Sequence, residues 1–129
     1  MPETPQSHAS VSTAISNGLS KLHRDHYGRG PTSVRTLYGH DHVVTFLEDI
    51  YTPAERTLVE AGETGAVVEM RRAFQRAMRD RFVAVVEEAT GRKVRAFLSE
   101  VSLDPDISAE VFVLERAGAG HEPAPEGVG

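Results

Sequence analysis

Near the middle of the chain, Thr52-Pro53-Ala54-Glu55 dictates where a helix begins. Threonine is a good N-cap. Proline suits the first helical position, where its missing N–H would lack a partner anyway, and Glu three residues past the cap reaches back to the cap's own N–H. A short helix from 53 to about 61 then ends at Gly62, and a long helix over about 64–90 is closed by Gly91. Any fold for this chain must accommodate a helical centre with extended segments on both sides.

Those segments read as two hairpins. Tyr38, Val43, Val44, Thr45, Phe46 and Leu47 suit strands over about 32–39 and 42–49, turning at Gly39-His40-Asp41-His42. Two more strands, about 93–102 and 107–115, turn at Asp104-Pro105-Asp106. Ahead of them, Val11, Ala14, Ile15, Leu19 and Leu22 recur at helical spacing, which predicts a helix over about 10–27 stopped by Gly28. The expected fold class is α+β, in the order α-β-β-α-α-β-β, with a mostly antiparallel four-stranded sheet packed with helices.

The strands look apolar on both faces. Val43 and Leu47 oppose Val44 and Phe46, and Val111 and Val113 oppose Phe112 and Leu114, where a one-sided antiparallel sheet would alternate with polar residues. If the helices cover one face, a second copy of the chain is the simplest cover for the other, so a homodimer is expected. The competing arrangement puts the first helix on one face and the long helix on the other.

Length allows one domain: 129 residues, of which 10–116 form the folded part, 1–9 a flexible tail and 117–129 a Gly/Pro/Ala-rich disordered tail. Lys plus Arg total 14 against 19 acidic residues, a net charge of −5 that argues against a nucleic-acid partner. No apolar run approaches the roughly 20 residues that cross a bilayer, so direct membrane insertion is not expected. With no cysteine, disulfides, thiol nucleophiles and cysteine-ligated metals are excluded. The first residues, Met1-Pro2-Glu3-Thr4-Pro5-Gln6, lack the pattern of a signal peptide, so a cytoplasmic location is expected.

The long helix carries Arg71, Arg72, Arg76, Arg79 and Arg81. On a helical wheel Val67, Met70, Phe74, Ala77, Met78 and Val85 share one arc. Arg72, Arg76 and Arg79 lie opposite, near Glu69 and Asp80, where ion pairs on a solvated face explain them. Arg71 and Arg81 fall inside the apolar arc. A guanidinium there must snorkel, pair internally or bind something, because an unpaired buried charge is very costly. Glu48, Asp49 and Glu100 are the expected internal partners; an anion or a partner's carboxylate is the other reading.

Tyr27-Gly28-Arg29-Gly30-Pro31 offers glycine N–H groups and one cation to an anion. It follows a helix C-terminus, however, whose dipole repels anions, so a helix stop with a rigid entry into the first strand competes. His23 and His26 share a helix face, and His40 and His42 flank the first turn. A strand of roughly 26 Å separates the two pairs, so no metal site and no cofactor are expected. No nucleophile elbow or paired-carboxylate signature points to catalysis, and Asp104 and Asp106 read as turn residues.

Four segments in order carry a family resemblance: Leu22-His23-Arg24-Asp25-His26-Tyr27-Gly28-Arg29-Gly30-Pro31; Leu47-Glu48-Asp49 with Thr52-Pro53-Ala54-Glu55-Arg56-Thr57-Leu58; Met70-Arg71-Arg72-Ala73-Phe74 through Phe82; and Thr90-Gly91-Arg92-Lys93-Val94 through Glu110-Val111-Phe112-Val113-Leu114. Over about residues 10–115 the chain resembles the MpsC family, named for a Na⁺-translocating, membrane-potential-generating system. The resemblance implies a non-enzymatic soluble accessory component. Its implied partners are a membrane protein of the proton-conducting antiporter type and a second soluble protein of inorganic-carbon uptake systems. The charge argument gives the alternative, a small-anion-binding sensor in which Arg29, Arg71 and Arg81 converge on an anion such as phosphate or bicarbonate. The resemblance brings no catalytic residues. The positions matching its motifs are Tyr27, Gly28, Arg29, Gly30, Pro31, Pro53, Glu55, Arg56, Arg71, Arg72 and Phe74. Joined with the charge argument, they nominate Tyr27, Gly28, Arg29, Gly30, Arg71, Arg72 and Arg81 as binding residues.

Overall fold

The computed structural model describes residues 7–116. It contains α1 (His8–His26), β1 (Ser33–Tyr38), β2 (His42–Glu48), α2 (Pro53–Glu60), α3 (Thr64–Thr90), β3 (Val94–Ser102) and β4 (Ile107–Leu114). This is an α+β fold in the predicted order. The expected tails at 1–6 and 117–129 lie outside the described residues. Residues 7–9 are not loose: the Ser7 side chain caps α1 by accepting from the Ser10 N–H at 3.1 Å, so the helix starts two residues before the prediction.

Local rules account for the other boundaries. At α2, Thr52 Oγ1 accepts from the Glu55 N–H at 3.2 Å and Glu55 Oε1 accepts from the Thr52 N–H at 3.1 Å, completing the capping box. Gly28 (φ 106°) and Gly91 (φ 71°) end α1 and α3 in left-handed conformations that cost glycine little.

The sheet order is β1-β2-β4-β3, antiparallel throughout. The two hairpins therefore meet through β2 and β4. Both long helices pack on one face: Val11, Ile15 and Leu19 of α1 and Met78, Phe82 and Val86 of α3 form one core with Val43, Leu47, Phe112 and Leu114 of the sheet. The arrangement with one helix on each face is thereby excluded. At about 25 cal/mol per Å² of buried apolar surface, this single layer of contacts is the main stabilising term. α1 and α3 approach closely, since a Cβ on Gly18 would lie 2.7 Å from Val85 Cγ1.

Because side chains alternate along each strand, the pairing register sorts the sheet into transverse rows. On the covered face one row is polar: Thr36, Thr45, Glu110 and Ser99. On the bare face the neighbouring row is apolar: Leu37, Val44, Val111 and Leu98. Leu37 and Leu98, on the edge strands, are 51% and 57% exposed.

The buried stripe of α3 differs from the prediction. It runs through Val67, Arg71, Gln75, Met78, Phe82 and Val86. At 100° per residue it centres on Arg71, about 60° round from the predicted arc. Met70 is 46% exposed and Ala77 is also exposed. Arg81 lies about 80° from Arg71 on the wheel and is exposed too, its Nη1 resting 3.6 Å from Met78 Sδ. The placement of Arg81 within the core-facing arc is therefore corrected: two polar residues, Arg71 and Gln75, occupy the centre of the stripe, and apolar periodicity does not register them.

Candidate functional site

Two polar assemblies flank α3, one buried and one open. The buried one is built on Arg71, which is 1% exposed. Its Nη2 meets Asp106 Oδ1 at 3.1 Å and its Nε lies 3.5 Å from Glu55 Oε2. Nε also donates to the Tyr27 hydroxyl at 3.2 Å, and that hydroxyl donates in turn to Glu55. The guanidinium sits 4.9 Å from the centroid of Tyr51 and 5.7 Å from that of Tyr27, a geometry that adds cation–π attraction. Asp106 in turn accepts from the Tyr51 N–H at 2.8 Å, and the Tyr51 hydroxyl donates to the Leu103 carbonyl. Burial and the nearby Asp106 charge push the Tyr51 hydroxyl above its ordinary pKa. One cation thus ties together the end of α1, the start of α2, α3 and the β3–β4 turn.

The partners of Arg71 are not Glu48, Asp49 or Glu100. Glu55 doubles as the capping-box acid, and Asp106, read as a turn residue, faces inward. Pairing with two carboxylates is what a buried guanidinium requires. Arg29 is also engaged within the fold: Nη1 donates to the Tyr51 carbonyl at 2.9 Å and Nη2 lies 3.5 Å from Asp49. Arg56 reaches Asp49 from the other side at 3.6 Å. Tyr27 is the C-cap of α1, its N–H bonded to the His23 carbonyl at 2.8 Å. Gly28 supplies the left-handed step, and Gly30 packs near the Arg24 side chain.

Next to this cluster lies a second buried group. Glu110 is fully buried, accepting from Gln75 Nε2 at 3.1 Å and from Ser108 Oγ at 3.5 Å. Desolvation pushes its carboxyl up to about 7 despite those bonds. His23 is buried; it stacks on Phe82 at 5.5 Å and donates from Nδ1 to the Leu19 carbonyl at 3.1 Å. Burial lowers its pKa. His26, His40 and His42 are exposed, and no group of three or more potential ligands that could hold a metal occurs among the described residues.

Glu110, Gln75, His23 and Tyr51 were missed as members of this interior. For Glu110 the signal existed. The alternation that puts Phe112 and Leu114 inward extends back to Glu110 and Ser108.

The open assembly lies where α3 meets the edge strand β3. Arg72, Gln75, Arg76, Arg79, Phe97 and Ser99 line a groove of about 270 Å³. Arg79 stacks over Phe97 at 5.8 Å. Arg76 lies 3.7 Å from Glu69, both side chains being largely exposed, a contact worth little. Among the described residues no carboxylate lies within 4 Å of Arg72 or Arg79. Of the seven nominated residues, only Arg72 lines this groove. Arg71 and Arg81 stand about 15 Å apart along the helix, Arg71 inside and Arg81 in solvent, so they do not converge.

Comparison with known proteins gives two matches. The family model described as "Na+-translocating membrane potential-generating system (MpsC)" matches residues 7–116. "Uncharacterized protein YbcI" of Bacillus subtilis (strain 168) is 26% identical over 110 residues, covering 84% of this chain and 89% of that protein. No solved structure matches.

Proposed function

Since this chain belongs to the MpsC family, we propose that it is a non-enzymatic accessory subunit of a cation-translocating, membrane-potential-generating assembly. It works on the cytoplasmic side as a homodimer and is held at the membrane by a protein partner. No helix among the described residues is long and apolar enough to cross a membrane, so attachment in this reading runs through a surface. The observation that carries it is the contrast in how arginines are used. Arg71 and Arg29 are engaged by internal acceptors, whereas Arg72, Arg76 and Arg79 crowd an open groove beside an edge strand. Three cations with an aromatic floor suit an acidic segment of a partner.

The test is purification of the tagged protein from native membranes with identification of what accompanies it. The expected result is a membrane transport protein that is lost at high salt and lost in the triple variant Arg72→Gln/Arg76→Gln/Arg79→Gln. Recovery of the same partner with the triple variant would overturn the groove as the contact. Recovery of none with the unaltered chain would overturn the accessory role.

A small-anion sensor is the second reading. Nη1 of Arg71 favours it, being a buried donor without an acceptor among the described residues. Phosphate or bicarbonate bound there would raise the thermal midpoint by mass action. A dose-dependent rise that Arg71→Lys abolishes supports the sensor; no rise at millimolar anion rejects it.

A further inference from the structure

We propose that two copies of this chain stack bare face on bare face, about a two-fold axis lying between β2 and β4 and running parallel to the strands. This rests on the homodimer reading above and specifies its geometry. The bare face is laid out in transverse rows. The central row is Leu37–Val44–Val111–Leu98. On one side of it lies Arg35–Phe46–Ala109–Glu100, and on the other His42–Val113–Ala96. Each row has its own pattern, and the patterns choose the axis.

Rotation about an axis parallel to the strands lays the order β1-β2-β4-β3 over β3-β4-β2-β1 and keeps each row over itself. Leu37 of one copy then meets Leu98 of the other, and Val44 meets Val111. Phe46 meets Ala109, a large side chain over a small one, as interdigitating sheets require. Arg35 meets Glu100, opposite charges at opposite edges of one row. Because the interface is isologous, each of these matches occurs twice.

An in-plane axis across the strands gives a different result. It sets each strand over itself and inverts the row order, so Arg35 falls over Gly39 and Glu100 over Ala96. Both charges then face groups that cannot pair with them, at a cost in desolvation. The match of Arg35 with Glu100 thus favours the first orientation over the second.

Sheet twist leaves the pairing feasible. Aligned sheets cross at about 30°. Arg35 and Glu100 sit about one and a half strand spacings from the axis, roughly 7 Å. That rotation displaces them by about 4 Å, within the reach of two long side chains. In the single chain Arg35 already lies over Phe46 at 5.6 Å, which keeps its guanidinium against the face rather than away from it.

Sedimentation equilibrium of the full chain tests the arrangement, with circular dichroism confirming that each variant is folded. The unaltered chain is expected to be a dimer and Leu98→Glu a monomer. Arg35→Glu and Glu100→Arg should each raise the dimer Kd about tenfold or more, since each sets like charges face to face twice. The double swap Arg35→Glu/Glu100→Arg should return the Kd to within about threefold of the original. A monomeric unaltered chain would overturn the homodimer reading and this geometry together. A dimer untouched by Leu98→Glu would overturn this face. A dimer that Leu98→Glu breaks, but that ignores the single swaps or is not rescued by the double one, would overturn the axis alone.

Discussion

One row on each face of the sheet runs against ordinary expectation. Under the helices runs the polar row Thr36–Thr45–Glu110–Ser99, while on the uncovered side, one residue along each strand, runs the apolar row Leu37–Val44–Val111–Leu98. Three of the covered row's four members are held by hydrogen bonds: Ser16 of α1 to Thr36 at 2.8 Å, Thr36 to Thr45 at 2.9 Å, and Gln75 of α3 to Glu110 at 3.1 Å. Buried polar groups that are bonded specify one arrangement of helices on sheet, because any slip leaves them unpaired. The bare row contributes little to the fold of a single chain. It is spare apolar surface available for association, and contiguous patches of that kind mark interaction sites.

The sharpest way to break this contrast is to remove the cation on the covered side. Arg71→Met should leave Glu55 and Asp106 buried without compensation and cost about 3–5 kcal/mol in a urea titration. A loss under about 1 kcal/mol would mean the two acids relax into solvent.

Glu110 comes next. Its carboxyl is raised to about 7 by burial, so the folded state holds a proton that the unfolded chain, near 4.5, releases. Its stabilising contribution is therefore complete below about 4.5 and declines as pH rises to about 7, by roughly 3 kcal/mol at most. His23 works the other way. Its pKa is lowered, so its contribution is complete above 6.5 and is lost as pH falls. As pH rises from 4 to 8, the unaltered chain should lose stability relative to Glu110→Gln, whose denaturation midpoints lack that downward component. An unchanged slope in Glu110→Gln would show that the carboxyl is not titrating in this range.

A smaller effect tests how tightly the covering layer is seated. Gly18→Ala gains helix propensity but drives a methyl into Val85. The expected net loss is about 1–2 kcal/mol, and a stabilised variant would mean α1 can shift outward freely. The smallest effect belongs to the bare face. Leu98→Thr, at a position 57% exposed, should change the folding stability of the dilute single chain by no more than about 0.5 kcal/mol, while weakening any self-association.

Much of this architecture was legible in the residues. The capping box at Thr52–Glu55, the stops at Gly28 and Gly91 and the doubled apolar alternation of β2 and β4 all report local preferences, which a one-dimensional reading captures. The rotation of α3 was not legible. Its buried centre holds Arg71 and Gln75, and a helical wheel weighted by apolar residues turns away from both. Asp106 was invisible as a partner for a similar reason: an acid beside a proline is fully explained as a turn, and nothing nearby reveals an arginine 35 positions earlier. The arginine groove was half seen. Arg72, Arg76 and Arg79 were correctly grouped on one helix face, but the aromatic and edge strand beside them come from distant sequence.

The strand order has a consequence for how the molecule is made. The amino-terminal hairpin touches the rest of the sheet only through β4, the last of the four strands along the chain. Until it arrives, the early hairpin has a raw inner edge. The sheet therefore closes only once β4 has emerged, and removing that strand would leave β1–β2 and β3 as separate pieces, joined only through the helices packed on them.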